Sequence, residues 1–420
     1  MHALKRVLRP LVPPQLLSFY HFSLSIIAAL VYGLPSRKLK VIAVTGTKGK
    51  SSTLEFLNAI FEAAGEKTAL ASTIRIKIGD KSVPNTMRMT MAGRFFLQRF
   101  FSMAVQDGCT VALVEMTSEG ARQYRHRGIA LDALIFTHLA PEHIESHGSY
   151  EAYADAKFEI GLGLARSRKR PRFMVANAAD KESPRYLRLP VEHALPFSLE
   201  MAAPYATNAR GGTFTFENVT MTIHIPGTFS LENAIAASVL ARAMGVKAPA
   251  IARGLDTLTR IPGRAEEIAE GQSFTVVIDY AHTPDSLRAI YAAYPGRRIA
   301  VLGSTGGGRD IWKRPVMGKI AEDECAHVIL TNEDPYDEDP RSIIAGLEHG
   351  MAKGTHEIVL DRREAMRRAF SLAQPGDTVI ITGKGTDPSI CGPDGTQVPW
   401  SDSRVAHEEL RALAKKPAIQ

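Results

Sequence analysis

The chain has 420 residues, 45% of them hydrophobic and 23% charged, with 51 Lys and Arg against 44 Asp and Glu. That length suffices for two or three domains with cores of their own, and the composition is that of a globular protein, not a disordered or fibrous one. The net charge of +7 suits a polyanionic ligand. The basic residues are scattered, however, with no zinc-finger spacing, Arg-rich arm or aromatic RNA-binding motif, so nucleic acid is excluded as the expected partner. Cys109, Cys325 and Cys391 are odd in number and far apart. They fit a reducing compartment, offer no metal spacing and read as small buried hydrophobes.

Residues 1–36 form a short apolar segment. Leu16 to Leu34 is rich in Leu, Ile, Phe and Ala but contains Ser18, His21, Ser23 and Ser25, with Lys5, Arg6 and Arg9 before it and Arg37, Lys38 and Lys40 after. A helix of that span is about 28 Å long, barely enough to cross a bilayer, and no small-residue site marks a signal peptide. Two readings are open: a helix packed on the next domain, or an interfacial or spanning helix that brings residues 16–34 to a membrane. Positive charge on both sides decides no orientation.

Val41 to Thr45 reads as a buried strand, broken by Gly46-Thr47-Lys48-Gly49-Lys50-Ser51-Ser52. A helical face of Leu54, Leu57, Ile60, Phe61 and Ala64 follows, with Gly65 as the stop. Strand, Gly-rich turn and helix N-terminus make a phosphate cradle, because backbone N–H groups and the helix dipole both favour an anion. Lys50 would reach the β- and γ-phosphates of ATP and the Ser51 hydroxyl would sit on Mg²⁺. The common pattern needs a Gly where Val44 stands, so this is a shorter form. A Gly/Lys/Ser turn without nucleotide is the competing reading, and the flanking strand and helix weigh against it.

Further on, Thr68 to Ile78 reads as one strand region. Asn85 to Thr90 is a polar loop, for which phosphate or substrate contact competes with ordinary turn chemistry. A helix follows from Gly93 to Val105. Apolar runs at Cys109 to Met116 and Leu131 to Leu139 read as further strands. The first ends at Glu115, where a carboxylate would lie at the ligand edge of a parallel sheet and could hold Mg²⁺; a surface charge is the alternative. The second leads into Pro141-Glu142-His143-Ile144-Glu145-Ser146-His147-Gly148, which reads as a metal or acid–base site or as a solvated loop. Tyr150, Tyr153, Ala156, Lys157 and Ile160 follow at helical spacing. Lys157 falls on the apolar side, where it needs a partner or must snorkel.

With these residues in hand, the chain resembles the Mur ligase family, most closely its tripeptide-synthetase branch. Gly46 to Ser51 looks like the family's ATP loop, and Glu115 like its metal and γ-phosphate glutamate. Glu142 to Gly148 is similar to its D-H-L-D-x-H-G with Glu for both Asp. The resemblance implies His143 as ligand of a second Mg²⁺ and Lys157 as a carbamylated lysine at the same metal. Asn177-Ala178-Ala179-Asp180 stands where the family has N-A-D-D. Pro226 to Ala234 resembles a segment whose Asn233 would contact nucleotide, with Ser230, an N-cap candidate, in place of its first Asn. Gly211 to His224 alternates as a small β-ribbon.

Residues 261–420 read as an alternating α/β domain, with strands near Phe274–Asp279, Arg298–Leu302, His327–Thr331, Glu357–Leu360 and Thr378–Thr382. The fold expected overall is α/β: a P-loop-type ATP-binding domain with a parallel sheet at residues 37–260, then a Rossmann-like domain. By resemblance, Arg264 of Ile261-Pro262-Gly263-Arg264 would reach ATP phosphate. Asp279 and His282 of Asp279-Tyr280-Ala281-His282-Thr283-Pro284 would close over adenine and ribose, and Arg309 would hold the α-carboxylate of the amino acid. The amino-acid pocket departs from the diaminopimelate motif D-N-P-R: it reads Glu333-Asp334-Pro335-Tyr336, with Asp387 for Glu in Gly383-Lys384-Gly385-Thr386-Asp387. Tyr336 cannot form the bidentate bond of Arg. An acidic pocket suits lysine or ornithine, and a neutral amino acid if the acids face water.

The second departure is that only about forty residues precede the ATP loop, so the family's UDP-binding domain is expected to be missing and the acceptor to be UDP-linked, or lipid-linked and near a membrane. The resemblance implies ATP-driven amide formation on a muramoyl-peptide by a monomer, cytoplasmic or peripheral to the inner membrane face. A folylpolyglutamate- or cyanophycin-type ligase and a non-catalytic ATP-binding protein remain open. So does a lipid-linked amidotransferase subunit, although its cysteine cluster is missing.

Overall fold

The computed structural model describes residues 13–142 and 144–415; His143 lies outside them. They form two compact units. One comprises the chain up to Ala140 with Glu151–Met201 and Ile235–Gly254, and the other Pro141–Tyr150, Ala202–Ala234 and the chain from Leu255 onward.

The first unit is built on an eight-stranded sheet of order β4-β3-β2-β5-β1-β6-β7-β8. In chain order the strands are β1 (Lys40–Thr45), β2 (Thr68–Ala71), β3 (Arg75–Ile78), β4 (Lys81–Pro84), β5 (Val111–Glu115), β6 (Ala133–Phe136), β7 (Phe173–Asn177) and β8 (His193–Phe197). From β2 to β8 every pairing is parallel. The interiors of β1, β5, β6 and β7 are fully buried, as their unbroken apolar runs require when both sheet faces are covered. The strand region expected over Thr68–Ile78 is made of two antiparallel strands. Ser72 makes the turn, its hydroxyl accepting from the Ile74 and Arg75 N–H groups.

Helix α1 (Pro14–Val31) precedes β1. It packs on this unit: Ser25, Ala28 and Ala29 are buried, Ser18 Oγ lies 2.8 Å from Tyr124 Oη and His21 Nδ1 3.0 Å from Arg94 Nη2. A Cβ on Gly128 would stand 2.8 Å from that of Ala29, so a glycine permits the close approach. Among the described residues no helix is long and apolar enough to cross a membrane, which removes the spanning alternative.

The second unit holds a six-stranded sheet of order β12-β13-β17-β14-β15-β16 and a three-stranded antiparallel one, β11-β10-β9. Here β9 is Tyr205–Asn208, β10 Gly211–Phe216, β11 Val219–Ile223, β12 Glu266–Glu267, β13 Thr275–Ile278, β14 Arg298–Leu302, β15 His327–Leu330, β16 His356–Ile358 and β17 Thr378–Ile381. From β13 to β16 the sheet is parallel. The expected ribbon is the β10–β11 hairpin with β9 added. Ser230 is not an N-cap: the helix begins at Thr228, and the Ser230 hydroxyl donates back to the Pro226 carbonyl at 2.7 Å.

Two buried ionisable features give tests of the fold. The Arg362 guanidinium grips both Asp402 oxygens at 2.8 and 2.7 Å, and Trp400 Nε1 donates to the same carboxylate. Breaking a buried pair strands a charge, so Asp402→Ala is expected to lower the unfolding free energy by about 3–5 kcal/mol in urea titration. His126 is buried with neither ring nitrogen hydrogen-bonded. Burial, then the charges of Arg127 and Arg166, push its pKa from 6.5 down to about 3. The folded chain keeps it neutral while the unfolded chain protonates it near 6.5, so this group costs stability as pH falls below that value. The stability of His126→Leu relative to wild type is therefore expected to rise by about 1.4 kcal/mol per pH unit between pH 6 and 4.

Candidate functional site

The parallel register brings the carboxyl ends of β1, β5 and β6 to one edge: Val44 pairs with Glu115 and Thr45 with Phe136. The loop Gly46–Gly49 lies at that edge, followed by helix α2 (Lys50–Ala63) with Gly49 at its N-cap, φ +81°. Gly46 has φ +146°, and a Cβ there would stand 2.0 Å from Thr137 Oγ1, so no side chain fits. The segment after β6 holds the loop from the other side. Thr47 N–H donates to the His138 carbonyl at 2.6 Å, Thr137 Oγ1 to the Lys48 carbonyl at 2.6 Å, and Thr47 Oγ1 accepts from the Ala140 N–H. Lys50 Nζ folds back onto the Gly46 and Thr47 carbonyls at 3.0 and 2.9 Å.

Ser51 and Glu115 meet. The Ser51 hydroxyl donates to Glu115 Oε1 at 2.6 Å, and Glu115 is 1% exposed, which rules out the surface-charge reading. Thr73 completes the shell. Its N–H donates to Oε1 at 2.8 Å and its hydroxyl lies 3.0 Å from Oε2 and from Thr90 Oγ1. Thr73 escaped the sequence reading because it sits in the turn within the expected strand region; the Ser-Thr pair ending an apolar run was the available signal. Asn85 makes turn bonds, to the Ser72 carbonyl and the Met87 N–H. An all-oxygen set of a hydroxyl and a carboxylate fits a hard cation such as Mg²⁺, which completes its shell with phosphate and water.

Helix α3 (Tyr150–Ala165) carries Lys157, 2% exposed. Its Nζ donates to the Gly46 carbonyl at 2.8 Å and stands 4.9 Å from the Tyr153 ring centroid. It is thus fixed against the Gly46–Gly49 loop, not snorkelling. Asp180 lies behind the 137–140 segment, accepting from Leu139 N–H at 2.6 Å with His138 Nδ1 at 3.0 Å. Burial raises the Asp180 pKa, but the His138 bond and two backbone N–H groups outweigh it and hold it below the usual value. Among the described residues no group of three or more His, Cys, Asp or Glu is placed to hold a metal. All three cysteines are buried, and burial pushes the Cys325 thiol up to about 12.

In the second unit, both Asp279 oxygens accept backbone bonds, from Ala265 and Ala281 N–H at 2.7 Å each. Arg264 stacks over the Tyr280 ring at 4.5 Å. His282 Nδ1 is 2.7 Å from the Tyr280 carbonyl and Nε2 2.7 Å from Glu142 Oε1. A carbonyl only accepts, so Nδ1 carries a hydrogen, and the Glu142 contact needs a second proton shared by ring and carboxyl. Glu145 Oε1 accepts from Ile311 N–H at 3.0 Å. Asn233 is buried. Arg309 is exposed on the Gly-rich loop after β14.

The pocket motif lies at the carboxyl ends of β14, β15 and β17. Lys384, fully buried, donates to Asp334 Oδ2 at 2.7 Å and lies 3.4 Å from Asp387 Oδ2. Asp334 Oδ1 accepts from the Cys391 N–H. Burial works against charge on Lys384, but Asp387 and Asp334 prevail and raise its pKa. Asp334 is therefore occupied internally. Glu333 is not: Oε1 accepts from Thr305 Oγ1 at 2.6 Å, while Oε2 is buried with no hydrogen-bond partner. A Cβ on Gly383 would stand 2.1 Å from that oxygen. Tyr336 sits at φ +52° beside Gly307.

Residues 44–241 match the Mur ligase middle domain and residues 263–385 the Mur ligase glutamate ligase domain. The UDP-N-acetylmuramoyl-L-alanyl-D-glutamate–2,6-diaminopimelate ligase of Bacillus cereus is 33% identical over 388 residues, 89% of this chain and 79% of that protein. The chain belongs to the Mur ligase family. The same-named ligase of Geobacillus kaustophilus is 34% identical over 96% of this chain and 86% of its own length. That share leaves too few residues unmatched for the likeness to begin at residue 37, so it reaches into the N-terminal segment. A solved diaminopimelate ligase superposes with TM-score 0.61 at 28% identity, covering 90% of this chain and 79% of that one. A Mycobacterium tuberculosis folylpolyglutamate synthase shares the fold, with TM-score 0.69 at 16% identity over 95% and 96% of the two chains.

In this Mur ligase, Thr73→Val removes one hydrogen bond to a charged carboxylate, worth about 1.5–3 kcal/mol. It is expected to weaken Mg²⁺-dependent nucleotide binding about 10- to 100-fold, with a much smaller effect in EDTA, as read by titration with a fluorescent ATP analogue. Gly46→Ala should abolish binding in both conditions.

Proposed function

We propose that the chain is an ATP-dependent ligase that joins an amino acid to the carboxylate of a muramoyl-peptide precursor in peptidoglycan synthesis. The observation that carries this reading is the ATP loop with Ser51, Glu115 and Lys157 converging on it, in a chain with both Mur ligase domains. The acceptor carboxylate oxygen attacks the γ-phosphorus in line, its bond to the bridging oxygen breaks and ADP leaves, giving an acyl-phosphate. The amine of the incoming amino acid then attacks the acyl carbon, loses a proton, and inorganic phosphate departs. Lys50 turns from its carbonyl partners to the phosphates and offsets their charge. Mg²⁺ held at Ser51 and Glu115, with a second ion at His143 and carbamylated Lys157, would supply Lewis-acid charge neutralisation. Thr73 keeps Glu115 oriented for its ligand. Arg264, Asp279, His282 and Asn233 are assigned to the nucleotide, and Arg309 to the α-carboxylate. A monomer is part of this reading, and dependence on ATP supports the cytoplasm.

For the amino acid, the reading is a side chain ending in an ammonium without a distal carboxylate: lysine or ornithine. Two features support it. Tyr336 stands where an arginine would clamp a carboxylate, and the unpartnered Glu333 Oε2 seeks a donor. Asp334 and Asp387, leaning on Lys384, contribute less than their charges suggest. The named relatives are diaminopimelate ligases, and Tyr336 and Glu333 are where this chain is read to differ.

ADP release from Mg²⁺-ATP and a muramoyl-dipeptide acceptor, with lysine, ornithine, diaminopimelate and alanine in turn, tests both levels. Amino-acid-dependent turnover is expected, with kcat/KM for lysine at least about 10-fold above that for diaminopimelate, the worth of one charged hydrogen bond. Tyr336→Arg should narrow that ratio and Glu333→Gln should raise KM for lysine. Preference for diaminopimelate would overturn the specificity, and silence with UDP-linked and lipid-linked acceptors alike would overturn the ligase. Whichever carrier supports turnover identifies the natural acceptor.

A further inference from the structure

Helix α1 is inverted relative to an ordinary surface helix. At 100° per residue, Ser18, His21, Ser25, Ala28 and Ala29 share one face, and that face meets the protein: Ser25, Ala28 and Ala29 are buried, while Ser18 and His21 contact Tyr124 and Arg94. The opposite arc, about 120° wide, holds Leu16, Phe19, Tyr20, Ile27, Leu30 and Val31 together with Ser23; the six large side chains are all exposed, with Phe19 and Val31 at 67% and Leu30 at 61%. A helix with its polar atoms inward and its large apolar side chains outward has not finished burying its surface.

Charge says what covers it. No Asp or Glu occurs before Glu55, whereas Lys5, Arg6 and Arg9 precede the helix and Arg37, Lys38 and Lys40 follow it. Arg37 and Lys38 are exposed, and Lys40 pairs with Glu66. A second copy laid on this face would bring equally basic flanks and no acid to pair with them. An anionic bilayer surface satisfies both halves of the pattern, apolar stripe into the acyl boundary and basic flanks among headgroups. Phe19 and Tyr20 are residue types suited to that boundary.

We propose that α1 is an interfacial helix that docks the enzyme, through its Leu16–Val31 stripe, on a membrane surface bearing anionic lipid. This stands apart from the ligase reading, and its readout is binding and not turnover.

The test is co-sedimentation of the full chain with vesicles of phosphatidylglycerol mixed with phosphatidylcholine, against vesicles of phosphatidylcholine alone. Wild type should bind the anionic vesicles about 10-fold or more tightly than the neutral ones, and high salt should weaken that binding. The triple variant Phe19→Ser, Ile27→Ser, Leu30→Ser should lose it, while its melting temperature and ATP-analogue binding stay at wild-type values, because these side chains already face water. Arg37→Gln with Lys38→Gln should bring anionic binding toward the neutral level. Sedimentation that is absent, or equal on both vesicle types, would overturn the proposal. So would a concentration-dependent wild-type dimer that the triple variant turns into monomer.

Discussion

The first unit depends on the backbone at Gly46. Its carbonyl receives Lys157 at 2.8 Å and Lys50 at 3.0 Å, and the space a side chain would fill is held by Thr137 Oγ1. The loop can therefore lie flat between the ends of β1 and β6, with two lysine side chains converging on one carbonyl and a helix beginning at Lys50. An ammonium held by carbonyls is held by weak acceptors. A phosphate offers Lys50 a full opposite charge, so the resting bonds keep it in reach without locking it away.

Around that point the parallel sheet acts as a ruler. Because β1 is flanked by β5 and β6 in fixed register, Glu115 and Thr137 arrive at the same edge as the loop from strands remote in sequence. The antiparallel return of β3 adds Thr73, whose N–H and hydroxyl take one Glu115 oxygen each while Ser51 takes the first as well. The carboxylate is thus supplied with three donors, and exchanging one hydroxyl contact for a cation needs little rearrangement. The second unit uses the same edge logic for a different end. There the loops after β14, β15 and β17 surround Glu333, and one of its oxygens is left without a hydrogen-bond partner.

Charge counting along a motif misleads at such edges. Glu333, Asp334 and Asp387 read as three acids facing a substrate, yet Lys384 is drawn to two of them and the Cys391 N–H satisfies Asp334 further. What the pocket offers a ligand is what its internal bonds leave over. The same holds in reverse for α1, whose composition left open a helix packed on the next domain and one at a membrane. Its Ser18 and His21 are spent on contacts with Tyr124 and Arg94, and most of its large apolar residues are left outside.

The sequence by itself determined the α/β class, the strand–loop–helix around Lys50, the alternation in the C-terminal unit and the motifs that mark the family. These are local: short apolar runs, glycines at turns and helical spacing are all written within a dozen residues. Only the tertiary structure decided that Ser72 turns the chain between β2 and β3 so that Thr73 meets Glu115, that Lys157 is spent on the Gly46 carbonyl, that Ser230 bonds back to Pro226 and not as a cap, and that Lys384 neutralises Asp334. Each of these is a choice of partner for a polar group, made by whichever donor or acceptor the packed strands bring within about 3 Å, and residue order alone carries no record of that distance.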